Sequence, residues 1–454
     1  MTTAAPRAGR AKGDADVNLA EDALLRVVVR VGLPAVASAL LLTAFVSLDS
    51  AWVGHFVGGA GLAAVSTSIF WIWTIISLAE MVSVGLTAVA ARRHGEHRDD
   101  EAARAVGDAL MFTLGLGVVT ATAGLLLLPH LFALMETPAE VTQLGTRYLG
   151  TYLAGSPLIF GYFVVDAAFR AAGNTRLPFI MLLCATLVAA VLDPMLIIGW
   201  GPFPQLGIRG AAVATVCVRG SLCVVGTLML RHRGLISFGA IDWSRIRTIV
   251  RVGLPTAATG VIFSLIYVVM TRTTQQYGTP ALAALGLGHR VESWMYMVGV
   301  GFGAAAAAIV GQNLGANQPE RAARAGWLTL AMTGVPGIIA CCALLVMPEQ
   351  LAGLFSTDPA VIAEATRYLH TAAFAQLVVS GETVLEGALG GAGWTLPPMI
   401  TSTAITLARV PLAAWAAMQW GTTGIWWVIS LTAIARALAM MGLWASGGWR
   451  RSTV

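Results

Sequence analysis

Charge is scarce in this chain. Asp, Glu, Lys and Arg make up 11% of its 454 residues, against roughly 25% in ordinary soluble domains. Such a chain cannot cover a soluble fold of this size with polar surface. Cysteine is sparse as well. Cys184, Cys217, Cys223, Cys341 and Cys342 all fall inside apolar runs, show no metal-ligand spacing and read as small hydrophobes. The seven histidines (His55, His94, His97, His130, His232, His289 and His370) lie nearly all at loops or run ends. With no clustered nucleophile, base or metal set, an enzyme is not expected. No backbone-rich, filter-like repeat appears, which disfavours a channel. Residues 1–22 have no apolar core and read as a disordered cytoplasmic tail, not a cleaved signal. The basic residues sit in short loops, so their excess over acids does not point to nucleic acid.

Apolar sequence is abundant, at 57% of the chain. Twelve runs can be drawn: 30–55, 64–91, 105–130, 143–168, 176–199, 208–231, 250–276, 283–311, 325–347, 361–387, 396–419 and 424–446. Each is long enough to cross a bilayer as a helix of ~20 residues, and the longer ones suggest tilt. The runs also repeat. Arg30-Val31-Gly32-Leu33-Pro34 returns as Arg251-Val252-Gly253-Leu254-Pro255, 221 residues on. Thr146-Arg147-Tyr148-Leu149 returns as Thr366-Arg367-Tyr368-Leu369, and Ala102-Ala103-Arg104-Ala105 as Ala322-Ala323-Arg324-Ala325, both 220 on. Six runs per half give both halves one orientation, a parallel duplication of the kind that places a transport site between or within the halves.

The fold expected is therefore all-α and integral to the membrane, with twelve transmembrane helices in two six-helix lobes. A disordered cytoplasmic tail (1–25) precedes the first lobe (26–231). A cytoplasmic linker (232–249) leads to the second lobe (250–447), and a short tail (448–454) ends the chain. Arg92, Arg93, Arg98, Arg231, Arg233, Arg245, Arg247, Arg450 and Arg451 all fall in the tails and even-numbered loops. The positive-inside rule then puts both termini in the cytoplasm. A monomer in the plasma (inner) membrane is expected, with the lipid bilayer and small organic substrates as its partners.

Charges inside the runs are few and costly, about 2.5–3.5 kcal/mol each at mid-bilayer. Asp49 in the first run and Asp193 in the fifth share a level in the outer part of the first half. Two acids in one dry lobe resist double ionisation, which suits proton uptake and release; carboxylate oxygens also suit sodium. Ser47, Ser50, Tyr148 and Tyr152 lie close enough to extend a hydrogen-bonded network. In the second half Met270 or a neighbour matches Asp49. Glu292, Arg409 and Arg436 lie near mid-depth, with Arg290 nearby, and form either a salt-bridged cluster or a cargo site. Glu382 and Glu386 share one helix face toward the inner end. Asp166 is the repeat partner of Glu386, which suggests a structural pairing with Arg170 or Arg176. Glu80 reads equally as a gate ion pair or a cavity acid. Some of Trp71, Trp73, Trp294 and Tyr296 can line a pocket for flat organic cations.

Several segments together resemble the multidrug and toxic compound extrusion (MATE) family over nearly all of residues 25–447. Leu48-Asp49-Ser50-Ala51-Trp52-Val53-Gly54-His55 resembles its D-T-x-x-V-G-H segment. Val310-Gly311-Gln312-Asn313-Leu314-Gly315-Ala316 resembles V-G-Q-x-x-G-A. Phe169 to Pro178 resembles R-G-x-G-D-T-R-x-P, with Asn174 in place of the usual Asp, and Val191-Leu192-Asp193-Pro194 matches L-D-P. The resemblance implies a secondary antiporter that expels organic, often cationic, compounds in exchange for protons or sodium, rocking two lobes about a central cavity. It implies ion coupling at Asp49 and Asp193, with no cofactor. Ala189 stands where the related branch often has Asn, and the second lobe lacks the acid typical of the sodium-coupled branch, so protons are favoured over sodium. Tyr148, Tyr152, Glu292, Arg409 and Glu382 are the cavity candidates. The alternative is a lipid-linked oligosaccharide flippase of the same superfamily. Such proteins tend to have more spans and a more basic cavity.

Overall fold

The computed structural model describes residues 18–133, 135, 138–201 and 203–452, and among these no strand forms. Seven helices build the first half: α1 (Leu24–Phe56), α2 (Gly59–Gly95), α3 (Asp99–Ala133), α4 (Ala139–Ala154), α5 (Ser156–Ala171), α6 (Arg176–Ile198) and α7 (Ile208–His232). Nine build the second: α8 (Trp243–Gln275), α9 (Thr279–Gly315), α10 (Pro319–Met332), α11 (Gly334–Val346), α12 (Pro348–Gly353), α13 (Pro359–Ala373), α14 (Gln376–Gly391), α15 (Leu396–Trp420) and α16 (Thr422–Ser446). A 3-10 turn, Gly448–Arg451, closes the described chain. The first seventeen residues of the expected tail lie outside the described residues.

The expected runs become helices, but three of them are broken. The fourth splits into α4 and α5, bent by 53°. The break falls at Gly155 with Pro157 just beyond it, where a missing N–H and a ring clash interrupt the ladder. The ninth and tenth runs split likewise, into α10 with α11 and α13 with α14. With α10 and α11 joined, ten helices are long and apolar enough to cross a membrane, or eleven if the bent pair counts as one. The run at α13 and α14 carries Glu364, Arg367, His370, Gln376, Glu382 and Glu386, too polar for that test. It nonetheless occupies the repeat position of α4 and α5. At 37 residues each, α2 and α9 are about 55 Å long, well beyond a ~30 Å hydrocarbon core, so they tilt or project past it.

The duplication is written into the backbone. Among the described residues the only non-glycine positions with positive φ are His97 (58°) and Asn317 (56°), 220 apart. Thr175 donates its hydroxyl to the carbonyl of Val31 at 2.7 Å, and Thr395 donates to that of Val252 at 2.7 Å. Each bond ties the start of the fifth span of a lobe (α6 or α15) to the first helix of the same lobe.

The two lobes meet through α1 and α2 on one side and α8 and α9 on the other. A Cβ on Gly85 would run into the carbonyl of Ile249, and one on Gly253 into that of Met81. Glycine at both positions lets α2 and α8 touch backbone to backbone. These approaches, and those of Gly301 to Val36 and of Gly315 to Arg92, all lie in the halves of the helices nearest the two termini.

Short segments lock that face. Leu19 is fully buried, and its carbonyl accepts from Asn313 Nδ2 at 3.1 Å and Arg321 at 3.3 Å. Arg321 also donates to the carbonyl of Asp22. The linker mirrors this arrangement. The backbone N–H of Ser237 donates to the carbonyl of Ala103 at 2.9 Å, and Arg245 pairs with Asp108. Each lobe's first helix is thus preceded by a strap held by the third span of the other lobe. At the far end of the chain, Trp449 is fully buried and stacks on Trp444 with ring centroids 4.0 Å apart.

Candidate functional sites in the two lobes

In the first lobe, α1 carries Asp49 inward and α4 brings Tyr148 to it. The tyrosine hydroxyl donates to Asp49 Oδ2 at 3.1 Å, and Asp49 is 5% exposed. One helical turn along α4, the hydroxyl of Tyr152 accepts from Arg219 at 3.2 Å. Asp193, on α6, is 1% exposed and lies within electrostatic reach of Asp49. Neither of its carboxyl oxygens, nor Oδ1 of Asp49, has a hydrogen-bond partner among the described residues. Burying polar atoms without partners costs free energy, which sets these oxygens apart from the satisfied polar groups around them.

The structure brings together Asp49, Asp193, Tyr148 and Tyr152. The hydroxyls of Ser47 and Ser50 turn instead to their own helix, donating to the carbonyls of Thr43 and Val46 at 2.9 Å each. Arg219 was missed by sequence reasoning. It is a buried cation on α7, in electrostatic reach of Asp49. A lone arginine in the middle of the sixth apolar run was the signal available. Ala189 packs with Phe45 and Val218 and offers no side-chain oxygen.

The second lobe is wired differently. Glu292, on α9, accepts from the hydroxyl of Tyr368 at 2.8 Å and from Gln376 at 3.4 Å. It makes no ion pair within 4.0 Å among the described residues. Arg436, on α16, pairs with Glu382 of α14 at 3.1 Å and lies over the ring of Phe263, 5.7 Å from its centroid. Of the two readings open for Glu292, Arg409 and Arg436, the salt-bridged cluster does not form among the described residues: the bridge runs from Arg436 to Glu382, one turn from Glu386. Arg409 donates its Nε–H to Thr432 at 2.8 Å and pairs with no acid among the described residues.

Between the lobes, Tyr296 of α9 lies within electrostatic reach of Glu80 on α2 and of Glu386 and Glu382 on α14. Asp166 pairs with Arg170 four residues on. Among the described residues no three His, Cys, Asp or Glu side chains converge as a metal site would require. A recess of about 610 Å³ opens on the second lobe, lined by Tyr277, Glu364, Arg367 and Trp420. Trp426 stands between it and the buried cluster, bonded to Glu364 at 2.8 Å and packed edge-on to Tyr368.

The MatE family model matches residues 34–195 and 255–415, one match per lobe. The chain is 29% identical to the "Probable multidrug resistance protein NorM" of Thermotoga maritima, covering 94% of this chain and 93% of that protein. It is 27% identical to a protein described as an FAD transporter in Shewanella oneidensis, covering 91% and 93%. Among solved structures, it superposes with a TM-score of 0.89 on an outward-facing multidrug resistance MATE transporter, at 20% identity over 97% of this chain and 100% of the other. It superposes equally well, 0.89 at 21% identity over 96% and 98%, on a MATE protein in its straight conformation.

Proposed function

Because the chain belongs to the MatE family of multidrug efflux transporters, we propose that it is a secondary antiporter that exports small organic compounds, cationic ones included, in exchange for protons. It is not an enzyme. The observation that carries the coupling is the buried carboxyl of Asp193, without a partner among the described residues and within reach of Asp49. Two carboxyls that cannot both be comfortably ionised in one dry pocket share and exchange protons. Tyr148 holds one oxygen of Asp49 and leaves the other open to such exchange.

Sodium is the second reading, since three bare carboxylate oxygens suit a hard cation. Ala189 removes a neutral oxygen from that set, which favours protons. Cargo enters between the lobes, where Glu80 and Glu386 flank Tyr296 and where acidic and aromatic groups attract organic cations. The lobes then rock, opening the face now closed by α2 and α8.

Proteoliposome transport of a fluorescent cationic dye under imposed proton or sodium gradients tests this, with Asp49→Asn and Asp193→Asn beside the wild type. Proton-driven movement lost in both folded variants supports the reading. Sodium-driven movement reassigns the ion. Dye that moves under neither gradient overturns the antiporter and favours lipid-linked cargo.

A further inference from the structure

Arg409 is a buried cation with most of its donors unspent. It is 8% exposed, and its single hydrogen bond among the described residues is Nε to Thr432. Among the described residues no carboxylate lies within ion-pair distance, although Glu292, Glu382, Arg436 and Tyr368 are all in electrostatic reach. Each neighbouring charge is already engaged. Glu292 is held by Tyr368 and Gln376. Arg436 is held by Glu382 and bonds Thr406 at 3.4 Å. Arg409 thus presents the four N–H groups of its terminal nitrogens, a rigid fork that matches an oxyanion bidentately.

From this arrangement we infer that the second lobe contains an anion-recognition site, in which Arg409 binds a carboxylate or phosphate group of the transported compound. The inference rests on the exporter reading and names a chemical feature of its cargo: the exported compound carries an oxyanion as well as any cationic or aromatic part. Thr432 is the positioning residue, since its hydroxyl fixes Nε and so aims the remaining fork. Glu292, tied to neutral donors, is kept from collapsing onto Arg409 and filling the site with an internal ion pair.

The test uses the full chain purified in detergent and a matched pair of fluorescent probes, a rhodamine with a free carboxylate and its methyl ester. Equilibrium binding is read by fluorescence anisotropy. The wild type binds the acid at least about ten-fold more tightly than the ester, the scale of one charge-assisted bidentate contact. Arg409→Gln abolishes that preference, lowering acid affinity more than ester affinity, and Arg409→Lys restores part of it. Thr432→Val weakens acid binding alone, and keeps the test open if Arg409→Gln does not fold. Equal affinity of the wild type for both probes overturns the inference, as does a loss in Arg409→Gln that is the same for acid and ester. Gradient-driven transport is scored separately on the ester. Failure of antiport therefore shows with the ester, and failure of the anion site shows only in the difference between the two probes.

Discussion

Tyr148 and Tyr368, 220 residues apart at matching repeat positions, each donate a hydroxyl to an acid of their own lobe, but the two acids sit on different helices. Tyr148 reaches Asp49 on α1 at 3.1 Å, and Tyr368 reaches Glu292 on α9 at 2.8 Å. The first-helix position of the second lobe is filled by Met270, 2% exposed. One ancestral tyrosine thus serves two differently built pockets, and the lobes are expected to do different jobs.

That division is testable by removing one hydroxyl at a time. Tyr148→Phe takes away the donor to Asp49, the acid proposed to carry coupling, a bond worth about 1.5–3 kcal/mol when one partner is charged. Coupled dye transport should fall about ten-fold or more, while acid-probe binding in detergent stays as in the wild type. Tyr368→Phe should show the reverse pattern. Identical phenotypes for the two variants would argue against divided roles.

The ion pair of Glu382 with Arg436 should behave as a closed unit. Glu382→Gln strands the largely enclosed guanidinium of Arg436 and should lower stability, by at most about 3–5 kcal/mol, the scale for a fully buried pair. Glu382→Gln combined with Arg436→Gln should recover most of that loss. Thermal unfolding in detergent reads both, and an additive double variant would show that the two groups are not energetically coupled.

Gly253 allows α8 to lie against the backbone of α2. Gly253→Ala places a methyl group against the carbonyl of Met81, and overpacking of this kind costs about 1–3 kcal/mol. The closed face should open more often. Thiol labelling of a cysteine introduced at Ala88, fully buried on α2, should speed up relative to the glycine parent. Unchanged labelling in a folded variant would mean that this contact does not set the closed state.

Arg321 is the anchor of the strap before α1, bonding the carbonyls of Leu19 and Asp22. Arg321→Ala should loosen residues 18–22, with faster amide exchange there and at the start of α1, and should raise the population open at this face. Exchange that stays as slow as in the wild type would show that burial of Leu19 alone suffices.

Much of the architecture is legible in the residues. Long apolar runs can satisfy their backbone only as helices in lipid, so the span positions follow from composition. The duplicated segments give the two lobes, and their match extends to the paired positive φ values of His97 and Asn317. Asp49 and Asp193 stand out because a carboxylate is costly inside an apolar run and is kept there chiefly where it meets a partner or a mobile ion. The break at α13 with α14 is less legible, because no proline stands there, whereas Pro157 and Pro336 each lie just past the breaks at α4 with α5 and α10 with α11.

By itself the sequence determined what each helix must bury and which ionisable groups go into the membrane. Which groups meet was decided only by tertiary structure. Arg219 finds Tyr152, Glu382 takes Arg436, and Arg409 is left with Thr432 because helix rotation and packing place side chains from distant segments together. A helical period specifies the face a residue occupies along its own axis. The partner opposite that face depends on how neighbouring helices cross, and no residue in the helix itself encodes that.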